Sequence, residues 1–171
     1  MKILLTTAIC MFAFAGLALA QNKSVYTGTS TKVCKTVKQT DDGAGSYEGD
    51  CPGVGGYRLR LLEGDIRQTI DIITPAKKRF ELNFWSFYGG FSAIGEKVEW
   101  RVKGTVPVAL IARYNVSRAD DEQKNDSYLM ISKIGAKESC VVDVIMPGPK
   151  QNEEARIAAD KAPTMPCKSN E

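Results

Sequence analysis

The chain contains no histidine at any of its 171 positions. Histidine is the usual base of Ser-His-Asp and Cys-His catalytic sites, and it is a common ligand of zinc and copper. Its absence excludes those two kinds of catalytic site and removes the commonest metal ligand. We therefore expect a protein that is not an enzyme and holds no metal or other cofactor. Catalysis by a pair of carboxylates is the chemistry that this absence leaves open.

Clustered positive charge and a second long apolar run are also lacking. The formal net charge is +3, and the densest basic block is the short segment of residues 77–79. A protein that binds nucleic acid usually carries a clustered basic face, so we expect no nucleic-acid partner. After residue 20 no apolar stretch is long enough to span a bilayer, which predicts no stable membrane insertion of the remaining chain.

The one long apolar run begins at the N-terminus. Lys2 precedes an apolar stretch over residues 3–20, which closes on Ala18-Leu19-Ala20. This order of a basic start, an apolar core and a small-x-small end is typical of a secretory signal peptide cleaved after Ala20. An uncleaved anchor is the alternative, but the polar start at Gln21 brings no basic stop-transfer cluster. The short basic region favours a bacterial source, so we expect a periplasmic or secreted domain spanning residues 21–171.

The cysteines predict disulfide bonds. Cys10 lies inside the apolar run, and the other four of the five cysteines are Cys34, Cys51, Cys140 and Cys167. An even number of cysteines in an exported domain indicates disulfides, although four cysteines permit three pairings. We favour Cys34 with Cys51 and Cys140 with Cys167, because each pair would close a segment with few core residues. The spacing contains no C-x-x-C, which argues against a metal site or a thioredoxin-like redox centre.

Alternating apolar and polar residues predict that the domain is mainly β. A hairpin is expected where Tyr57, Leu59 and Leu61 alternate with arginines and residues 66–73 return after a Glu-Gly-Asp turn. The apolar run of residues 107–114 and two further strands at 127–134 and 139–146 predict an antiparallel meander. Residues 41–56 are rich in glycine and acidic side chains and are expected to form a loop.

One short helix is predicted near the C-terminus. Asn152 is a suitable N-cap, four alanines fall on one stripe at helical spacing, and Pro163 would end the helix. We expect it to pack on an antiparallel sheet of about eight strands, arranged as a small sandwich or a partly closed barrel.

Four aromatic residues are the candidate ligand contacts: Trp85, Tyr88, Phe91 and Trp100. Flat rings stack on sugars, and Trp and Tyr add a polar tip to a large contact area. Glycines at 89 and 90 would let such a loop approach a ligand. The competing interpretation places these rings in the core, which a domain of this size must also fill.

Three carboxylates, Glu81, Glu96 and Glu99, are the candidates for a hydrolytic acid pair. Such a pair must face across a cleft. Each of the three lies at a polar position of an alternating pattern, so solvent exposure is the simpler expectation.

Together these observations predict an exported, non-catalytic domain that binds another protein or a component of the cell envelope. The first alternative is a carbohydrate-binding module that uses the exposed aromatic residues, with an envelope glycan as its partner. The second alternative is a carboxylate-dependent hydrolase.

Overall fold

The computed structural model describes residues 22–121 and 123–169. The predicted signal peptide and its cleavage site therefore lie outside the described residues. Ten strands and one α-helix follow one another along the chain. They are β1 Lys23–Gly28, β2 Lys35–Thr40, β3 Ser46–Cys51, β4 Arg58–Gly64, β5 Arg67–Ile73, β6 Arg79–Glu81, β7 Ser92–Lys103, β8 Val106–Ser117, β9 Asn125–Lys133, β10 Cys140–Ile145 and α1 Gln151–Lys161.

All ten strands belong to one sheet, whose main order is β10-β9-β8-β7-β5-β4-β3-β2. β1 pairs with β7, and β6 pairs with β5. We call strands β2 to β6 the first half of the sheet, and β1 together with β7 to β10 the second half. Apart from β1, the chain completes the first half before it builds the second, because most strands pair with their neighbours in sequence.

The main core lies between the two halves. Leu59 and Ile72 of the first half belong to the same buried cluster as Trp100, Leu110 and Met130 of the second half. Alternation along each strand places these side chains on one face, as expected for a sheet with one face turned inward. The prediction of a mainly β domain is confirmed, but the strands form one open sheet of ten strands, where a small sandwich or partly closed barrel of about eight strands was predicted.

The joint between the halves is parallel, which corrects the prediction of a purely antiparallel sheet. Arg67 of β5 pairs in parallel with Ser92 of β7, and the backbone N–H of Ser92 donates to the carbonyl oxygen of Ile66 over 3.0 Å. All other strand pairs are antiparallel, including the predicted hairpin of β4 with β5 and the meander of β8, β9 and β10. A contact between strands so far apart in sequence leaves no local pattern from which to predict it.

The outer face of the second half is covered by helix α1. Ala155, Ala159 and Ala162 have no solvent exposure and pack with Ile111 and Ile131 of the sheet. Small side chains let the helix approach the strands closely, as the alanine stripe predicted. The predicted N-cap was wrong by two positions, because the helix begins at Gln151 and Asn152 lies inside its first turn.

Two disulfides join Cys34 to Cys51 and Cys140 to Cys167, which is the pairing favoured from the sequence. Two disulfides are consistent with an oxidising environment outside the cytoplasm. Cys51 is the last residue of β3, a strand inside the segment that the sequence analysis assigned to a loop. Among the helices of the described residues, none has the length and apolar character required to cross a bilayer.

Candidate functional site

The aromatic segment, residues 84–91, leaves the core through a short 3-10 turn at Phe84–Ser86. Phe84 is fully buried and meets Tyr114 edge-on, with 5.6 Å between ring centroids. Its backbone N–H donates to Oγ1 of Thr69 over 3.0 Å. This anchor fixes the start of the segment, and the following residue, Trp85, emerges to 37% exposure.

Trp100 is not a ligand contact, and that part of the prediction was wrong. Its side chain has no solvent exposure, and its indole N–H donates to Oγ1 of Thr27 over 2.8 Å. The physical reason is its position on β7, where Val98 and Val102 flank it on the same inward face. The ring fills the space between the two halves of the sheet.

Tyr88 lies at the surface against another tyrosine. Its ring stacks on Tyr128 with 4.0 Å between centroids and 19° between planes. Its hydroxyl donates to Sδ of Met146 over 3.8 Å. Burial raises the pKa of the Tyr88 phenol, so the hydroxyl remains protonated at neutral pH. One face of the ring is therefore already occupied by Tyr128 and is not available to a ligand.

We call the cavity beside Tyr88 the aromatic groove. Its volume is about 600 Å³. The C-terminal segment forms one wall, held by the Cys140–Cys167 disulfide and by a 2.8 Å bond from the N–H of Lys168 to the carbonyl oxygen of Val141. The lining residues are Ser86, Phe87, Tyr88, Val142, Val144, Met146, Pro166, Cys167, Lys168 and Ser169.

The other two candidate rings do not line the groove. Phe91 is 38% exposed, and the guanidinium of Arg67 lies over its ring, 5.6 Å from the centroid. It borders a separate cavity of about 390 Å³. Trp85 lines neither cavity. Trp85, Tyr88 and Phe91 therefore lie at three separate positions and do not form one flat aromatic surface on which a sugar could stack.

Glu99 is buried, contrary to the exposure expected for all three candidate carboxylates. Its side chain lies beneath α1, where Arg156 donates from Nε to Oε1 over 2.9 Å and from Nη2 to Oε2 over 3.2 Å. Burial opposes ionisation, but these bonds and those from the hydroxyls of Ser24 and Tyr26 outweigh it and lower the pKa of Glu99. A carboxylate held ionised in this way is unsuited to act as a general acid.

Glu99 lines a cleft of about 280 Å³ between the sheet and α1, which we call the cationic cleft. Its lining residues are Tyr26, Lys97, Glu99, Ile111, Arg113, Leu129, Asn152 and Arg156. No second carboxylate belongs to this set of described residues, whereas Glu81 and Glu96 are exposed on β6 and β7. The cleft therefore does not present the pair of facing acids that glycoside hydrolysis requires.

Arg101 completes the charged layer beneath the helix. It is 4% exposed, and its guanidinium forms a paired contact with Asp160 of α1, from Nε over 2.8 Å and from Nη2 over 2.9 Å. It also donates to the carbonyl oxygen of Asn22 over 2.8 Å. The hydrogen bonds with Asp160 raise the pKa of Arg101 further above its usual range. These contacts hold the helix to β7 and to Asn22, the residue before β1.

Within the part of the chain that the structure describes, one group of side chains has the spacing of metal ligands: Glu138, Cys140 and Cys167. Both sulfur atoms of this group are joined in a disulfide. A disulfide sulfur is not the thiolate that zinc requires. The group therefore does not fit a metal site.

Sequence reasoning missed Arg101, Arg113 and Arg156 as members of a site. The only available signal was the alternation of Lys97, Glu99 and Arg101 along one strand, which is equally typical of a solvent-facing surface. Comparison with protein-family models, with curated proteins and with solved structures found no match for this chain. The geometry of the aromatic groove and of the cationic cleft is therefore the basis for the functional argument.

Proposed function

We propose that this chain is an exported, non-catalytic domain that binds another protein, and that the aromatic groove receives an apolar segment of that protein. The observation that carries the proposal is an open cavity whose lining includes the exposed apolar side chains of Met146 and Pro166. Met146 is 60% exposed although it is a large apolar residue. Exposed apolar residues grouped at a cavity commonly mark an interaction surface, and methionine adapts its shape to different partners.

The chemistry of the lining favours a protein segment over a glycan. Phe87, Val144, Met146 and Pro166 supply apolar surface, and the polar side chains of the lining are two serines, Tyr88 and Lys168, with no carboxylate or carboxamide among them. Sugar hydroxyls need several donors and acceptors beside a stacking ring. In addition, Trp100 is buried in the core, so one of the four candidate rings of the carbohydrate alternative is not accessible to a sugar.

Export supports a partner in the periplasm or the medium. The two disulfides suit such a compartment, and the sequence pattern predicts cleavage after Ala20. Mass spectrometry of the natural protein tests this part of the proposal separately. We expect a chain that begins at Gln21 and carries no free thiol. A chain that retains Met1, or that shows four free thiols when freshly isolated, would contradict export.

Photocrosslinking in the cells that produce the protein tests the groove. A benzophenone amino acid is placed at Met146 in one variant and at Val106 in a control variant. The two positions are matched, because they are 60% and 56% exposed, and Val106 lies at the start of β8 outside the groove. We expect a discrete adduct at position 146 that contains peptides of a second protein. An adduct without a second polypeptide, the same adducts at both positions, or no adduct at 146 would each overturn the proposal.

A further inference from the structure

Arg113 is held in the cationic cleft by neutral groups. It lies on β8, and its Nη1 donates to Oγ of Ser127 over 2.8 Å and to Oε1 of Gln151 over 3.2 Å. Its Nη2 donates to Oδ1 of Asn152 over 3.1 Å. Three uncharged acceptors on β9 and α1 therefore fix the orientation of a half-buried guanidinium.

Among the described residues, no carboxylate pairs with Arg113. The other two arginines between the sheet and the helix differ in this respect, because Arg101 of β7 pairs with Asp160 and Arg156 of α1 pairs with Glu99. A guanidinium has five N–H donors, so the three bonds above leave one proton on Nε and one on Nη2. A partly buried positive charge without a counter-ion favours the approach of a negative group.

The surroundings of Arg113 add to this positive charge. Lys97 lines the same cleft and forms no ion pair with the described residues, whereas the charge of Glu99 is already matched by Arg156. The lining thus carries three cations and one anion. Glu99 is bonded to Arg156 and to two hydroxyl groups, whereas Arg113 and Lys97 have no carboxylate partner among the described residues and are the cations available to an incoming anion.

We propose that the cationic cleft is a binding site for an oxyanion group, with Arg113 as its principal donor and Lys97 as a second cation. Charge-assisted bonds from a planar guanidinium to a carboxylate, phosphate or sulfate are among the strongest hydrogen bonds in proteins. The volume of about 280 Å³ suits one such group on a small molecule or on a side chain. This site is separate from the aromatic groove, and it does not depend on the function proposed there.

Titration followed by NMR tests the site directly. Inorganic phosphate and acetate are added in separate series to the exported, disulfide-bonded protein at constant ionic strength, while the Nε–H signal of Arg113 is observed. We expect a saturable shift with at least one of the two anions. Saturation with phosphate alone identifies a tetrahedral oxyanion, and saturation with acetate alone identifies a carboxylate.

Three variants separate a built site from general surface charge. Arg113→Gln is expected to weaken the saturable response about tenfold, as observed through the backbone amides of Lys97 and Asn152. Lys97→Gln is expected to weaken it by about threefold, and it leaves the hydrogen bonds that hold Arg113 intact. Lys103→Gln removes another exposed lysine of the same strand, outside the cleft, and should change nothing.

Some results would overturn the inference. Shifts that never saturate, or that affect exposed lysines throughout the surface equally, would indicate an adventitious ion only. An unchanged response in Lys97→Gln together with an unchanged response in a folded Arg113→Gln would remove the site. If Arg113→Gln does not fold, the Lys97→Gln and Lys103→Gln pair alone decides the question, because a site requires the first to weaken binding and the second to leave it unaltered.

Discussion

The two halves of the sheet share one core but present different outer faces. In the first half, Arg58 pairs with Asp50 over 2.9 Å, and their side chains are 48% and 28% exposed. In the second half, Arg101 pairs with Asp160 over 2.8 Å, and the arginine is 5% exposed. Both arginines occupy the polar positions of an alternating strand. The comparison teaches that alternation assigns a residue to a face, whereas the elements packed on that face decide its exposure.

Helix α1 produces the difference, and its own sequence explains how it docks. Its alanines make close contact with the strands, so that the charged side chains at its borders come within reach of the sheet. Arg156 meets Glu99, and Asp160 meets Arg101. Glu99 and Arg101 are buried, whereas the side chains of Arg156 and Asp160 are 44% and 30% exposed. An ion pair with one buried member contributes little net stability compared with apolar residues, but removal of the partner leaves a costly unpaired charge. The two ion pairs therefore fix the position of the helix more than they strengthen the fold.

The largest effect is expected in the core that both halves share. Trp100→Ala should lower the free energy of unfolding by about 3–5 kcal/mol, because it leaves a cavity where a fully buried ring now packs. Trp85→Ala is the matched control, since that ring is 37% exposed, and it should cost less than about 1 kcal/mol. Urea denaturation of both variants measures the difference. Equal losses would show that Trp100 is not part of a common core.

An intermediate effect should separate the two ion pairs. Double-mutant cycles for Arg101 with Asp160 and for Arg58 with Asp50 are expected to give coupling energies of about 2–3 and about 0.5 kcal/mol. The reason is burial, because solvent screens the second pair far more than the first. Chemical denaturation of the single and double variants provides both values. Similar coupling energies would contradict the claim that the helix-covered face screens its ion pair from solvent and the open face does not.

The smallest effect is expected in the pH dependence of stability. The pKa of Glu99 is lowered from its ordinary value of 4.5, so its ionised form stabilises the fold above that pH. This contribution is lost as the pH falls through the folded-state pKa. The stability difference between the natural protein and Glu99→Gln should therefore shrink as the pH is lowered from about 6 to about 3.

Asp71 of the first half provides a control of opposite sign. Burial raises its pKa above the ordinary value of 3.8, even though Arg79 donates to its carboxylate over 2.7 Å. The natural protein should therefore lose stability relative to Asp71→Asn as the pH rises above that value. Denaturation at several pH values compares the two variants. Parallel pH profiles for Glu99→Gln and Asp71→Asn would contradict the assigned directions.

Much of the fold could be predicted because its signals are local. The hairpin of β4 and β5, the meander of β8 to β10 and the alanine stripe of α1 are each defined by residues close together in sequence. β3 was missed because its sequence, with a glycine and two acidic residues, favours a loop. It forms a strand because β2 and β4 bond to it on both sides. The parallel joint of β5 and β7 depends on the folded halves and has no local signal.

The candidate sites were predicted less well, for a related reason. Aromatic content identified the neighbourhood of Tyr88, but only the fold could divide the rings between core and surface. Arg113 lies in the apolar run of β8 and reaches helix α1, which is about 40 residues away along the chain. A residue whose partners lie so far away in sequence cannot be recognised from its immediate neighbours.

The C-terminal segment covers part of the edge of β10, the last strand of the sheet. β10 ends the strand order, so its outer backbone edge is open to strands of other molecules. The backbone N–H of Lys168 donates to the carbonyl oxygen of Val141 on this edge, and the Cys140–Cys167 disulfide holds the C-terminal segment in place. The carboxylate of Asp143 accepts a hydrogen bond from the backbone N–H of Val144 over 2.8 Å. Reduction of this disulfide would release the C-terminal segment from β10 and leave the outer edge of the strand able to pair with a strand of another molecule.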